Sequence, residues 1–367
     1  MRRYASLFLV VLLFATCSSS NDVSPEVVEN QEPTTESNST TSTLATPTET
    51  IAEYIFDIEK MSPLTGKYIT QEEWLIRPRR VISFKIDNNI NARPQSGIQH
   101  ADLIYEVLVE GGMTRFLAVF LDSSSDYLGP IRSARPTDPT IIKPFGSTLV
   151  VSGATEGLIP SIRELGVPVI EEQKAPSMFR ISSRKAPHNL YADTELIRDV
   201  IDNKGYLFIQ PGPQPIFSFG YNQNNWIKKA SKITIEYSNE TTVIWKLDEN
   251  LYNRFILDSY SQTDEPEAHN WIKQNGFDTG ILTAETIIVI QGVNYRDEAT
   301  TLPSILTVGI GPVTIFNNGN MIEGTWRRTD IDDPFDLFDP NGDLIYIPPS
   351  KQWIHIMPLE GNISVSN

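Results

Sequence analysis

Two styles of apolar patterning divide this chain. Between residues 81 and 205, short apolar runs take turns with helical spacings. Beyond residue 231 nearly every run reads as a strand. Val81–Asp87 (VISFKID) carries apolar side chains at odd and even positions alike, which predicts a strand buried on both faces. Leu103–Glu110 and Thr114–Leu121 flank Gly111-Gly112 and predict a β-hairpin. A helix over 102–110 is the competing reading, and the glycine pair with the Val, Ile and Tyr content decides against it. Ser147–Ser152 (STLVVS) predicts another short buried strand, followed by Gly153–Gly157 and a helical pattern that stops at Leu165-Gly166. Asp193 is placed to cap a helix ending near Asn203-Lys204-Gly205.

In the second half the expected strands are Ile233–Ser238, Thr242–Leu247, Thr286–Gln291, Val313–Phe316, Met321–Trp326, Leu344–Ile347 and Trp353–Met357. Asn317–Asn320 and Pro340–Asp343 supply the turn residues that hairpins need. The fold class that follows is an α/β N-terminal domain over 61–228, then a mostly antiparallel β C-terminal domain over 229–367.

The first sixty residues belong to neither. Arg2 and Arg3 precede an unbroken apolar run, Leu7–Phe14, of eight residues. A bilayer needs about 20, so the run fits the core of a secretory signal and not a span. The sole cysteine, Cys17, follows after Ala15-Thr16 and has no partner for an internal disulfide. This arrangement resembles the lipobox of bacterial lipoproteins, which implies a diacylglyceryl group on Cys17 and an extracytoplasmic, membrane-anchored protein. Residues 18–60 are dominated by Ser, Thr, Glu, Asn and Pro, and are expected to form a disordered acidic tether.

Charge adds a contrast. The whole chain carries −16, which argues against a nucleic-acid partner. Residues 61–228 hold 18 basic and 17 acidic side chains, whereas 229–367 hold 9 and 20. The arginines therefore gather in the first domain.

Five strings stand in order between Arg77 and Tyr191: RPRRVISFKIDN, ARPQSG, ADLIYEVLVEGGMTRFLAVF, GPIRSARP and RKAPHNLY. With EGTWRR (Glu323–Arg328) and QWIHIMP (Gln352–Pro358), they resemble the YerB-type bacterial lipoprotein family over roughly Pro63 to Leu359. The resemblance implies two domains, the first of unknown function. Around Tyr260–Asn270 the chain departs from that pattern.

The motifs also concentrate the candidate chemistry. Arg93, Arg115, Arg132, Arg135 and Lys185, with Arg184 beside it, are candidates for an anion-binding pocket, because guanidinium forks bind carboxylates and phosphates bidentately. His188 is the candidate acid or base, with Asp87, Asp102, Glu106 and Glu110 as carboxylates that could serve it. Ligands of open α/β sheets sit beyond the C-terminal strand ends, where Asp87 and Gly153 fall. The bland alternative is a set of ion pairs and caps that hold loops in place. His355 alternates with Ile354 and Ile356 and reads as structural. No P-loop, nucleophile elbow or metal-ligand spacing occurs, so neither a cofactor nor a metal is expected. Two readings result. One is a non-enzymatic envelope protein that binds an anionic or cell-wall ligand, or a protein partner whose identity stays open. The other is an envelope hydrolase or transferase that uses His188 with a carboxylate. Convergence of Arg93, Arg115, Arg132 and His188 in one open pocket would favour a site; dispersed, separately paired side chains would favour scaffold.

Overall fold

A computed structural model describes residues 54–57, 59–69, 80–205, 214–221, 226, 228–259 and 265–367. Cys17 and the tether up to residue 53 lie outside the described residues. In the first half the strands are β1 (Ile82–Ile86), β2 (Leu103–Leu108), β3 (Thr114–Phe120), β4 (Thr148–Val150), β5 (Val169–Ile170), β6 (Met178–Arg180) and β7 (Leu190–Ala192). The helices are α1 (Thr137–Ile142), α2 (Leu158–Glu164) and α3 (Thr194–Asn203). The second half opens with β8 (Lys228–Lys229), β9 (Lys232–Glu236), β10 (Thr241–Asp248), β11 (Leu251–Asp258) and β12 (Glu267–Ala268). It continues with β13 (Asn270–Ile272), β14 (Thr279–Ile281), β15 (Thr283–Ala284), β16 (Thr286–Gly292), β17 (Asn294–Arg296) and β18 (Pro303–Ile305). The last strands are β19 (Gly309–Asn317), β20 (Asn320–Arg328), β21 (Asp336–Phe338), β22 (Gln352–Pro358) and β23 (Asn362–Ser366).

The fold class is the expected one: a mixed sheet with a few helices, then mostly antiparallel strands. β1 is buried along its whole length, as its two-sided apolar pattern requires. The hairpin turns where the glycine pair permits it, with φ of 70° at Gly111 and 71° at Gly112, a region costly for any side chain. The Asp193 carboxylate accepts from the amides of Glu195 and Leu196 and so starts α3. Leu344–Ile347 differs from expectation. Leu344 and Ile347 make single bridges to Phe338 and Phe219, so the segment crosses between elements and joins no ladder.

The two halves meet in one sheet, ordered β21-β20-β19-β16-β22-β2-β3-β1-β4-β5, with β8 on β20. β22 lies parallel to both β16 and β2, so a strand near the C-terminus completes the sheet begun in the first half. The boundary expected near residue 228 is a boundary of sequence; in space Glu53–Asn367 forms one unit. One sheet face packs against α1, α2 and the Phe217/Phe219 segment. The other packs through Phe116, Phe120 and Trp353 against the six-stranded sheet β12-β11-β10-β9-β23, with β15 on β11. The body also takes in part of the expected tether. The Tyr54 hydroxyl donates to the Gly66 carbonyl at 2.6 Å, and the Phe56 ring lies 5.8 Å from that of Phe219.

Candidate functional site

β1 and β4 run parallel, and beyond their ends the segment Pro130–Ala134 takes up their next hydrogen bonds. Asp87 N donates to Pro130 O and Arg132 N to Lys85 O; Ser152 N donates to Arg132 O and Ala134 N to Gly153 O. The GPIRSARP string is thereby wedged at the C-terminal end of the parallel pair, where open α/β sheets place ligands. It brings Arg132 beside Asp87 and Arg135 against Glu110. The β2–β3 turn delivers Glu110 and Arg115 to the same place.

Six of the candidate residues converge there. Arg135 grips Glu110 with a fork, Nε to Oε2 at 2.6 Å and Nη2 to Oε1. Arg115 Nη2 stands 3.7 Å from the same carboxylate. Both guanidinium groups also donate to the Ser133 carbonyl, at 3.1 and 3.3 Å. His188 Nδ1 lies 2.7 Å from Asp87 Oδ2, and Arg132 Nε lies 3.1 Å from that oxygen. The Arg132 contact is one of charge, since its N–H is not directed at the oxygen and finds no hydrogen-bond partner. Arg132 keeps 21% of its side chain exposed and His188 17%, against 5% for Arg115 and 7% for Arg135.

The crowding of positive charge shows in the proton affinities. Burial lowers Arg115 to about 10, and neighbouring Arg135 and Arg132 add to the shift against the pull of Glu110 and Asp87. Burial works to raise Glu110, but the hydrogen bond and charge of Arg135 outweigh it and bring the carboxyl down to about 2. Beneath the cluster Lys85 and Asp138 form a fully buried pair at 2.6 Å. Burial lowers Lys85 to about 8, with Asp138 opposing and Arg115 and Arg135 reinforcing.

The other candidates go elsewhere. Arg93 donates to Asp258 Oδ2 of β11 at 2.6 Å and to the carbonyl and side chain of Asn88. Lys185 sits on the exposed turn leading to His188, and Arg184 clamps the carbonyls of Ala92 and Pro94. Asp102 lies at the far end of the hairpin, where it accepts from the amides of Leu121 and Asp122; burial pushes its carboxyl up. Glu106 is wholly buried in a polar network between the two sheets. It accepts from Arg254 Nη2 and Thr114 Oγ1, both at 2.7 Å, and from Trp353 Nε1 at 2.9 Å. Burial works to raise Glu106, and Arg254 first among its neighbours holds it below the usual carboxylate range.

His355 is structural as expected. Trp245 Nε1 donates to its Nε2 at 3.0 Å, which leaves Nδ1–H to donate to the Tyr237 hydroxyl at 2.8 Å. Sequence reasoning passed over Arg254 and assigned no role to His269 in the divergent Tyr260–Asn270 stretch; the two contact each other, and His269 reaches Gln95 at 2.7 Å. It also passed over Lys85, although a lysine inside a strand apolar on both faces is a signal that a buried counter-charge exists. Among the described residues no three His, Cys, Asp or Glu side chains gather as a metal site would require.

Comparison with known proteins shows what the chain as a whole is similar to. Residues 64–207 match the profile "Protein of unknown function (DUF3048) N-terminal domain". Residues 233–354 match "Protein of unknown function (DUF3048) C-terminal domain". The chain is 26% identical over 305 residues to "Putative lipoprotein YerB" of Bacillus subtilis (strain 168), covering 81% of this chain and 86% of that one. It is also similar in fold to a crystal structure of the YerB protein from Bacillus subtilis, with a TM-score of 0.66 and 24% identity. That match covers 83% of this chain and 99% of the other.

Proposed function

We propose, for a chain that belongs to the two-part DUF3048 family of YerB, that it is a lipid-anchored envelope protein whose first domain binds an anionic group. The anchor is the Cys17 thiol, read from the signal pattern and supported by the lipoprotein name of the relative. The anion seat is the face of Arg132 with Arg115 behind it. One observation carries this reading: three guanidinium groups share two carboxylates, and among the described residues the Arg132 Nη atoms take no hydrogen bond. An anion supplied by a phosphate-bearing or carboxylate-bearing wall polymer would answer that surplus.

Thermal unfolding with and without inorganic phosphate is the test. A bound anion raises the melting temperature as occupancy grows, by RT ln(1 + [L]/Kd) in free energy. Arg132→Gln should abolish the rise and leave the unliganded protein as stable or slightly more so. If Arg132 is scaffold, the substitution destabilises the free protein and phosphate does nothing to either form.

A second reading has its own support. Asp87 orients His188 through Nδ1, so Nε2 is the nitrogen left to move a proton beside the arginines. In that case the site is a hydrolase or transferase acting on the bound anion. Turnover of bis-para-nitrophenyl phosphate that disappears in His188→Asn, while phosphate still raises the melting temperature, would select this reading.

A further inference from the structure

Positive charge continues past the seat of Arg132 and Arg115 in one direction. From Arg132 the path runs through Asp87 to His188, whose Nδ1 lies 2.7 Å from Asp87 Oδ2. The His188 N–H donates to the Lys185 carbonyl at 3.0 Å, so one tight turn carries the half-buried imidazole and, at its exposed corner, Lys185. The Lys185 ammonium has no carboxylate or carbonyl partner among the described residues. Arg184, next to it, spends both Nη groups on the carbonyls of Ala92 and Pro94. Those acceptors are neutral, so the Arg184 charge is held in place and not cancelled. In the other direction, past the end of β4, the exposed Glu156 brings negative charge.

Among these groups Arg115, Arg132, Arg135, Arg184 and Lys185 stand against the carboxylates of Asp87 and Glu110 alone. The Lys85–Asp138 pair beneath them is balanced within itself. A single anion seated on Arg132 answers the charge there and leaves Lys185 and Arg184 unanswered. The surplus is also local. The whole chain carries −16, so most of its surface repels a polyanion and general attraction gives no affinity for one.

We infer, on the basis of the anion seat proposed above, that the ligand is a linear polyanion with one negative charge on each repeat. One charge sits on Arg132 and another along the same chain on Lys185, with His188 between them. Linking the charges makes the second contact intramolecular, so the polymer gains affinity that no single ion has. Each contact also releases counterions condensed on the polymer, so affinity falls as salt is added, and more steeply the more contacts are made.

The full-length chain, held in a neutral detergent, is titrated by calorimetry with inorganic phosphate, tripolyphosphate and long-chain polyphosphate, compared per phosphate group. Acetate and poly-L-glutamate form the carboxylate arm. A polymer should bind at least about tenfold more tightly per group than its single ion, with a steeper loss on adding salt. Lys185→Gln, an exposed change, should weaken the polymer about fivefold more than it weakens the single ion, and should make the salt dependence shallower by about one contact. Lys246→Gln removes an exposed charge from β10 and should do neither. Whichever polymer shows the gain identifies the charged group on the repeat. Polymers bound no tighter per group than their single ions, or equal effects of Lys185→Gln and Lys246→Gln, overturn the inference; the anion seat then stands if phosphate still raises the melting temperature. No response to phosphate or to either polymer overturns the seat and the inference together.

Discussion

Replacing Glu106 by Gln isolates the network that joins the two sheets. The carboxylate is fully buried and accepts three hydrogen bonds, from Arg254, Thr114 and Trp353, with His355 Nδ1 3.6 Å away. A glutamine keeps one accepting oxygen, and its NH₂ must face a donor where the second oxygen stood. Arg254, also fully buried, then loses its counter-charge. Breaking a buried ion pair from one side costs about 3–5 kcal/mol, and an indole N–H left without an acceptor adds about 1–3 kcal/mol. The rings of Trp353, Phe116 and Trp245 lie 5.1, 5.4 and 5.9 Å from the Arg254 guanidinium and retain part of its stabilisation. The expected loss is therefore about 4 kcal/mol, the middle of the pair-breaking range. Urea unfolding followed by tryptophan fluorescence measures it, since Trp245 and Trp353 flank the network. Arg254→Met should cost a similar amount, and the double variant should cost clearly less than the sum of the two. A loss below about 1 kcal/mol for Glu106→Gln, or strict additivity in the double variant, would refute the reasoning. The pH dependence has a fixed sign. The carboxyl lies below its ordinary 4.5, so its stabilisation is complete above that pH and is lost as pH falls through the lower folded value.

Three further outcomes are expected. Lys85 sits at about 8 in the folded protein against 10.5 unfolded, so the unfolded chain holds more protons between those values and stability rises with pH across them, by on the order of 3 kcal/mol. Lys351, also lowered to about 8 by burial, contributes over the same window, and Lys85→Met should flatten only part of the rise in a pH series of melts. Asp138→Asn leaves Lys85 buried without its partner and should cost about 3–5 kcal/mol, read by urea titration; a change within error would mean the pair is dispensable. Cys17→Ser should move the protein from the membrane fraction to the soluble one, and retention after a high-salt wash would remove the lipid anchor from the account.

The elements that sequence displayed are those fixed by neighbours in the chain. The hairpin at Gly111-Gly112 and the cap at Asp193 depend on local backbone chemistry, so composition reveals them. The convergence of Asp87, Glu110, Arg115, Arg132, Arg135 and His188 was half legible. Their motifs lie just past strand ends, which topology tends to gather. Arg93 shows the limit: it stands in a motif as dense as the others, yet its carboxylate partner is Asp258, a pairing across 165 residues that no spacing rule exposes. Glu106 was misplaced for a related reason. A carboxylate in an apolar strand looks available for acid–base work until the chain supplies Arg254 and Trp353 from the second half.

That dependence leads to a prediction about the halves themselves. The chain reads as two domains, and two separate profiles match it. Yet β22 lies between β16 and β2, so a first half cut at residue 228 would keep β2 with its inner edge unpaired. It would also keep a buried Glu106 stripped of Arg254, Trp353 and His355. The β2–β22 ladder pairs five residues, from Leu103 with Gln352 to Val107 with Ile356, and its loss exposes apolar side chains on both faces at once. A second half alone would retain β16 and β22 but leave Trp353 without Phe116, whose ring it meets at 5.2 Å. Neither fragment should therefore unfold cooperatively on its own, and mixing the two should restore a single transition, because each supplies the edge that the other lacks. Calorimetry of the separate and mixed fragments decides. A first half that melts cooperatively within about 5 °C of the intact protein, on a scale where 1 kcal/mol moves a domain of this size by about 2–4 °C, would show two self-sufficient domains and make β22 an accessory strand.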